Sequence, residues 1–61
     1  MRKIIITGSE GLIGREVTNF FEKENCEVIK CDLSLGHDLS DEKFVKDFFK
    51  NNDGDFLINL F

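Results

Sequence analysis

Lys3-Ile4-Ile5-Ile6-Thr7-Gly8-Ser9-Glu10-Gly11-Leu12-Ile13-Gly14-Arg15-Glu16 puts three of the chain's five glycines, Gly8, Gly11 and Gly14, directly behind an isoleucine-rich run. Lys3 to Thr7 is apolar without alternation, which is how a strand buried on both faces of a parallel sheet reads. Past the glycines, Ile13, Val17, Phe20 and Phe21 recur at i, i+4, i+7 and i+8. That spacing marks one face of a helix from Leu12 to Glu24. Asn25 can take the left-handed conformation that ends it. Gly8 suits a tight turn after the strand. Gly11 has no Cβ to keep a ligand off the backbone, and Gly14 lets the helix pack close to the strand. The unpaired N–H groups at the helix start, and its dipole, favour an anion there. The plain alternative is a strand-to-helix turn that tolerates glycine.

The rest of the chain continues the alternation of strand and helix. Glu27 to Asp32 reads as a second strand, with Val28, Ile29 and Cys31 as its apolar content. Leu33 to Leu39 contains Gly36 and has room for a turn and at most a stub of a third strand. Ser40 is a good N-cap, with Asp41 and Glu42 in the first turn, where the helix dipole favours acids. This helix runs to about Lys50, with Phe44, Val45, Phe48 and Phe49 on its buried side. Asn51 to Gly54 form a turn, and Asp55 to Phe61 form the last strand.

If the last strand lies on the far side of the first, the two crossovers run in opposite directions. Because such crossovers are right-handed, the helices then cover opposite faces. The expected fold is α/β, a minimal Rossmann-like half-domain occupying residues 1–61 as one unit. Its parallel sheet has strand order 2-1-4, a vestigial third strand and one helix on each face. Sheets of this kind bind ligands at the switch point, beyond the carboxyl ends of the strands.

Asp32 closes the second strand, 18 positions beyond Gly14. A strand, a glycine turn, a helix and then an acid at the next strand end is the context of a dinucleotide-binding fingerprint. The glycines would receive the pyrophosphate and Asp32 the adenosine ribose. A carboxylate there would repel a 2′-phosphate, which favours NAD over NADP. Arg15 dissents, since a basic residue after the last glycine can assist NADP. The solvated-helix reading of Arg15 is preferred because Asp32 has the stronger mechanism.

Thr7-Gly8-Ser9-Glu10-Gly11-Leu12-Ile13-Gly14 resembles the T-G-x-x-G-x-[IL]-G motif of extended short-chain dehydrogenases/reductases, the NAD-dependent sugar epimerase/dehydratase group. The resemblance covers nearly the whole chain. Asp32 matches that family's ribose acid, Asp38-Leu39 its adenine-side D-L pair, and Leu57-Ile58-Asn59-Leu60 its V-I-N-L-A strand. It implies a cofactor site made of Gly8, Ser9, Glu10, Gly11, Leu12, Ile13, Gly14, Asp32, Leu33, Asp38, Leu39 and Asn59. The strand around Asn59 reads equally as plain core. The departures bear on activity. There is little room for the family's third strand. The chain has no Tyr, so it cannot carry the family's Tyr-x-x-x-Lys, and no catalytic residue is expected in it. Three readings follow: an NAD-binding half-domain, the N-terminal fragment of a nucleotide-sugar epimerase or dehydratase, or a structural remnant that has lost its ligand.

Composition narrows the partners. A net charge of −4 leaves no basic patch for nucleic acid. No apolar stretch approaches the ~20 residues of a membrane span, and the short run at the N-terminus does not make a signal peptide. The expected location is the cytoplasm. Cys26 and Cys31 lack metal or redox spacing and read as reduced thiols, with no metal expected. His37 reads as an exposed loop residue. A domain this small buries only about 60% of its unfolded surface and usually needs a ligand or partner. Within the last strand, Phe56 to Phe61 would form a bare apolar edge with no charge, Pro or bulge to guard it, so a homodimer through Asp55 to Phe61 is expected.

Overall fold

Ile4, Ile5 and Ile6 lie at the centre of the molecule, each almost fully buried, because their strand has a neighbour on both sides. Each such side chain contributes about 1.5–3 kcal/mol relative to exposure. The computed structural model describes residues 1–60, so Phe61 lies outside the described residues. The elements run β1 (Lys3–Thr7), α1 (Leu12–Lys23), β2 (Glu27–Cys31), a 3-10 turn (Leu33–Leu35), α2 (Glu42–Asn51) and β3 (Phe56–Asn59). The sheet order is β2-β1-β3 and both pairings are parallel. Ile4 stands opposite Val28 on one side and Phe56 on the other, and Thr7 opposite Cys31 and Asn59.

The helices take opposite faces. Phe21 of α1 shares a cavity wall with Ile4, Phe56 and Ile58. Phe49 of α2 shares one with Ile5 and Leu57. Successive strand residues point to opposite faces, so these two sets lie on opposite sides of the sheet. The expected α/β half-domain with a switch point between the first and last strands is therefore what the chain forms.

The segment after β2 is the expected turn, with no strand stub among the described residues. Leu33–Leu35 forms a 3-10 turn, capped by the Asp32 carboxylate and closed by Gly36 at φ 83°. Other expectations are corrected. The buried stripe of α1 is shifted. Ile13 and Phe20 are exposed, while Gly14 and Thr18 are buried and Val17 and Phe21 half-buried. These four fall at i, i+3, i+4 and i+7, the same period rotated by about one residue. The cause is the close approach at Gly14, which turns the small residues inward.

The cap of α2 is Asp41, not Ser40. Its carboxylate accepts from the N–H groups of Lys43 and Phe44 at 3.0 and 3.3 Å. Asn25 ends α1 at φ 60°, as its type allows. Finally, His37 is half-buried rather than exposed. Its ring stacks on Phe44 at 5.4 Å and leans on Phe48 at 5.5 Å. Phe44 and Phe48 are half-buried around it, and Phe49 sits at the rim of this cluster rather than in a closed core.

Candidate functional site at the switch point

The glycine turn is held in place by the end of β2. Gly8, at φ 73°, donates its N–H to the Cys31 carbonyl at 2.8 Å, and Ser9 donates to the same oxygen at 3.4 Å. The left-handed φ explains glycine at position 8, since a Cβ is disfavoured there. Gly11 then donates to Gly8 O at 3.2 Å, closing the turn. Gly14 is buried because α1 starts hard against that turn. An added Cβ would overlap the Gly8 carbonyl oxygen and stand 2.9 Å from the Gly8 and Ser9 carbonyl carbons.

Gly11 is different. A Cβ on it would meet only Gly8 O, at an ordinary 3.5 Å, so the space above it is open. Gly11 is also the N-cap of α1, at φ −74°, and no side chain caps the helix. The first N–H groups of α1, from Leu12, Ile13 and Gly14, have no carbonyl one turn back within the helix to bond to. They face the region beyond the carboxyl end of β1, with the positive end of the helix dipole behind them. Leu12 and Ile13 are exposed on this lip. An anion would be accepted there by main chain alone, with no side chain at position 11 in its way.

Asp32 sits beside the turn. Its Oδ2 accepts the Glu10 N–H at 3.0 Å and its Oδ1 accepts the Ser34 N–H at 2.9 Å. The Ser34 and Glu10 donors, with the Arg15 charge nearby, hold its carboxyl below the usual aspartate range despite some desolvation. The group is therefore a carboxylate at neutral pH, and it bridges the glycine turn to the 3-10 turn. The Asp32 N–H in turn points to His37 Nδ1 at 3.4 Å. Burial, and then the Asp32 charge, push the Cys31 thiol up, which keeps that sulfur protonated behind the site.

On the other flank, Thr7 Oγ1 donates to Asn59 Oδ1 across β1 and β3. Thr7 and Asn59 thus meet at the carboxyl ends of the two strands that border the switch point. Leu33 is exposed on the 3-10 turn, and Leu39 is half-buried. Asp38 bonds within its own turn, its Oδ1 accepting from the Ser40 hydroxyl at 2.6 Å and the Ser40 N–H at 2.9 Å. Those two bonds lower the Asp38 carboxyl, the hydroxyl more than the N–H.

The structure thus brings Gly8 to Gly14, Asp32 and Asn59 to one end of the sheet, while the carboxylate of Asp38 is spent on its own turn. Three participants had no signal in the sequence. They are the Cys31 carbonyl that anchors the glycine turn, the Ser34 N–H on Asp32, and the Asn59 partner role of Thr7. Among the described residues no group of three or more His, Cys, Asp or Glu is placed to hold a metal ion. No helix among them is long and apolar enough to cross a membrane.

Fold and site together define a Rossmann-type half-domain whose glycine turn lies at the switch point of a parallel sheet. Residues 1–60 match the family model described as RmlD substrate binding domain, and the chain belongs to that family. It is a sugar-nucleotide-binding family of short-chain-dehydrogenase-like enzymes, which use NAD(P). No curated protein and no solved structure matches the chain.

Proposed function

We propose that the chain binds a nicotinamide adenine dinucleotide, NAD in preference to NADP, chiefly through its ADP portion. The observation that carries this reading is the uncapped start of α1 with open space over Gly11, directly beyond the end of β1. The pyrophosphate rests on the N–H groups of Leu12 and Ile13, passing over Gly11. The adenosine ribose lies toward Asp32, whose ionised carboxylate accepts from ribose hydroxyls and repels a 2′-phosphate. Arg15 stands close enough to act on Asp32, so it tempers that repulsion without reversing the sign of the site's preference. Leu33 and Leu39 form the apolar side toward the adenine, and Asn59 stands toward the middle of the cofactor. No residue of this chain is assigned a catalytic role.

Membership of a sugar-nucleotide-binding family supports a second reading in addition. The chain would then be the cofactor end of an NAD-dependent nucleotide-sugar epimerase, dehydratase or reductase, working in the cytoplasm. Calorimetric titration with NAD, with NADP and with a nucleoside diphosphate sugar tests the cofactor site that the two readings share. Saturable NAD binding, weaker for NADP and lost in a Gly11→Val chain that still folds, is the expected result. Equal binding by the Gly11→Val chain would refute the proposed pose. Binding of the sugar nucleotide alone would overturn both readings, whereas epimerase, dehydratase or reductase activity gained when the rest of such an enzyme is supplied in trans would favour the second.

A further inference from the structure

The two open edges of the sheet differ. The outer edge of β2 carries Glu27 and Lys30, both exposed, and is followed by the Leu33–Leu35 turn. Charges of this kind keep an edge from pairing. The outer edge of β3 carries Phe56, Leu57, Ile58 and Asn59, with no charged residue inside the strand. Phe56 and Leu57 are each more than half exposed. A cavity flanks β3 on each face, a largely apolar one of about 370 Å³ on the α1 side and one of about 330 Å³ on the α2 side whose wall also carries Asn52, Asp53 and Asp55. Phe56 and Leu57 line both.

The main chain of β3 limits what can bind there. Asp55 donates its N–H inward to Lys3 O at 2.8 Å. Strand residues alternate in the edge to which they present N–H and C=O, so Leu57 and Asn59 also turn toward β1. Phe56 and Ile58 therefore present both groups outward. Beyond Asn59 the alternation shifts, because the Leu60 N–H goes inward to Thr7 O at 3.0 Å. The pairing surface is thus short, with its outward groups two residues apart.

We infer that this edge pairs with β3 of a second copy of the chain, antiparallel, about a two-fold axis passing between the Leu57 residues of the two subunits and perpendicular to the sheet. The inference is independent of nucleotide binding. In this register Phe56 stands opposite Ile58 of the partner subunit, and the reverse. Both are outward-facing, so each such pair exchanges two bonds, about four main-chain hydrogen bonds in all. Phe56 and Ile58 point to the α1 face in both copies, so apolar meets apolar there. Leu57 meets its own copy on the α2 face. Asp55 lies opposite Asn59 of the partner subunit, an acid against an amide, and no like charges meet.

A register centred on Ile58 is poorer. It sets Leu57 against Asn59 and asks bonds of Leu60, whose N–H already serves Thr7. Self-complementarity of the strand in one register is what favours a second copy over an unrelated strand. The product is one continuous sheet, β2-β1-β3-β3-β1-β2, with both guarded edges outermost.

The test is sedimentation of the unmodified chain at micromolar concentration, followed by cross-linking. The expected mass is about twice the 7.0 kDa of the chain. The central pair would be a non-hydrogen-bonded one, with Cα atoms about 4.5 Å apart, within reach of a disulfide. In a Cys26→Ser background, Leu57→Cys should therefore form an intersubunit disulfide under mild oxidation. Leu60→Cys should not, because those positions lie some six residues apart across the axis. Far-UV circular dichroism checks that each variant folds. A monomer in sedimentation overturns the inference. So does equal cross-linking of the Leu57→Cys and Leu60→Cys chains, or a strand-edge complex formed only with a different protein.

Discussion

Replacing Gly14 by alanine sets two effects of known size against each other. In a helix interior the exchange ordinarily stabilises by about 1 kcal/mol, because glycine loses more backbone freedom on folding. Here the new Cβ would overlap the Gly8 carbonyl oxygen and crowd the Gly8 and Ser9 carbonyl carbons at 2.9 Å. Those are main-chain atoms, and their turn is tied to Cys31 O by the N–H groups of Gly8 and Ser9. They cannot swing aside as the tip of a long side chain would. Relief requires α1 to back away from β1, opening the contact along Gly14, Val17, Thr18 and Phe21. Overpacking of this kind costs about 1–3 kcal/mol, at the upper end where backbone must move.

The net expectation is a loss of about 1–2 kcal/mol, from a domain whose core supplies only about 3–5. With a urea slope near 1 kcal/mol/M for so small a chain, the midpoint should fall by about 1–2 M. The chain has no Trp or Tyr, so far-UV circular dichroism is the natural probe. Gly11→Ala is the control. Its Cβ would meet only an ordinary 3.5 Å neighbour, so its cost is that of an alanine N-cap, below about 1 kcal/mol. A Gly14→Ala chain as stable as the original, or more so, would refute the argument that α1 touches the glycine turn.

Two further outcomes follow from the site and its surroundings. Asp32 and Asp38 are held below their ordinary value of 3.8, so the unfolded chain takes up protons before the folded one. Their contribution is present above that value and is lost as pH falls through and below it. The urea midpoint should therefore drop between about pH 7 and about pH 3, and drop less in a chain carrying Asp32→Asn and Asp38→Asn. An equal drop would place the acid sensitivity elsewhere. At the start of α2, Asp41→Ala should cost about 1 kcal/mol through the two N–H groups it caps. Ser40→Ala should cost clearly less, since Ser40 bonds only to Asp38. The reverse order of midpoints would restore Ser40 as the cap.

What the sequence determined by itself was local and periodic. The run Ile4-Ile5-Ile6, the glycines at steps of three and the helical recurrences led to alternating strands and helices, and so to a parallel sheet with a switch point. Asn25 announced the end of α1 because few residues tolerate its φ of 60°. Tertiary structure decided what depends on close approach between distant segments. Which stripe of α1 is buried was settled by the Gly14 contact with the glycine turn, and periodicity specifies the width of such a stripe better than its phase. The Asp32 carboxylate is shared between Glu10 and Ser34 because folding brings the two turns to it from either side. That same capping gives the turn expected after β2 its 3-10 form. His37 reads as a loop residue in sequence, and only the placement of α2 slides its ring against Phe44 and Phe48. A pattern along the chain records which faces are apolar, whereas the partner each face meets, and the distance at which it stops, is set by the backbone geometry of the whole.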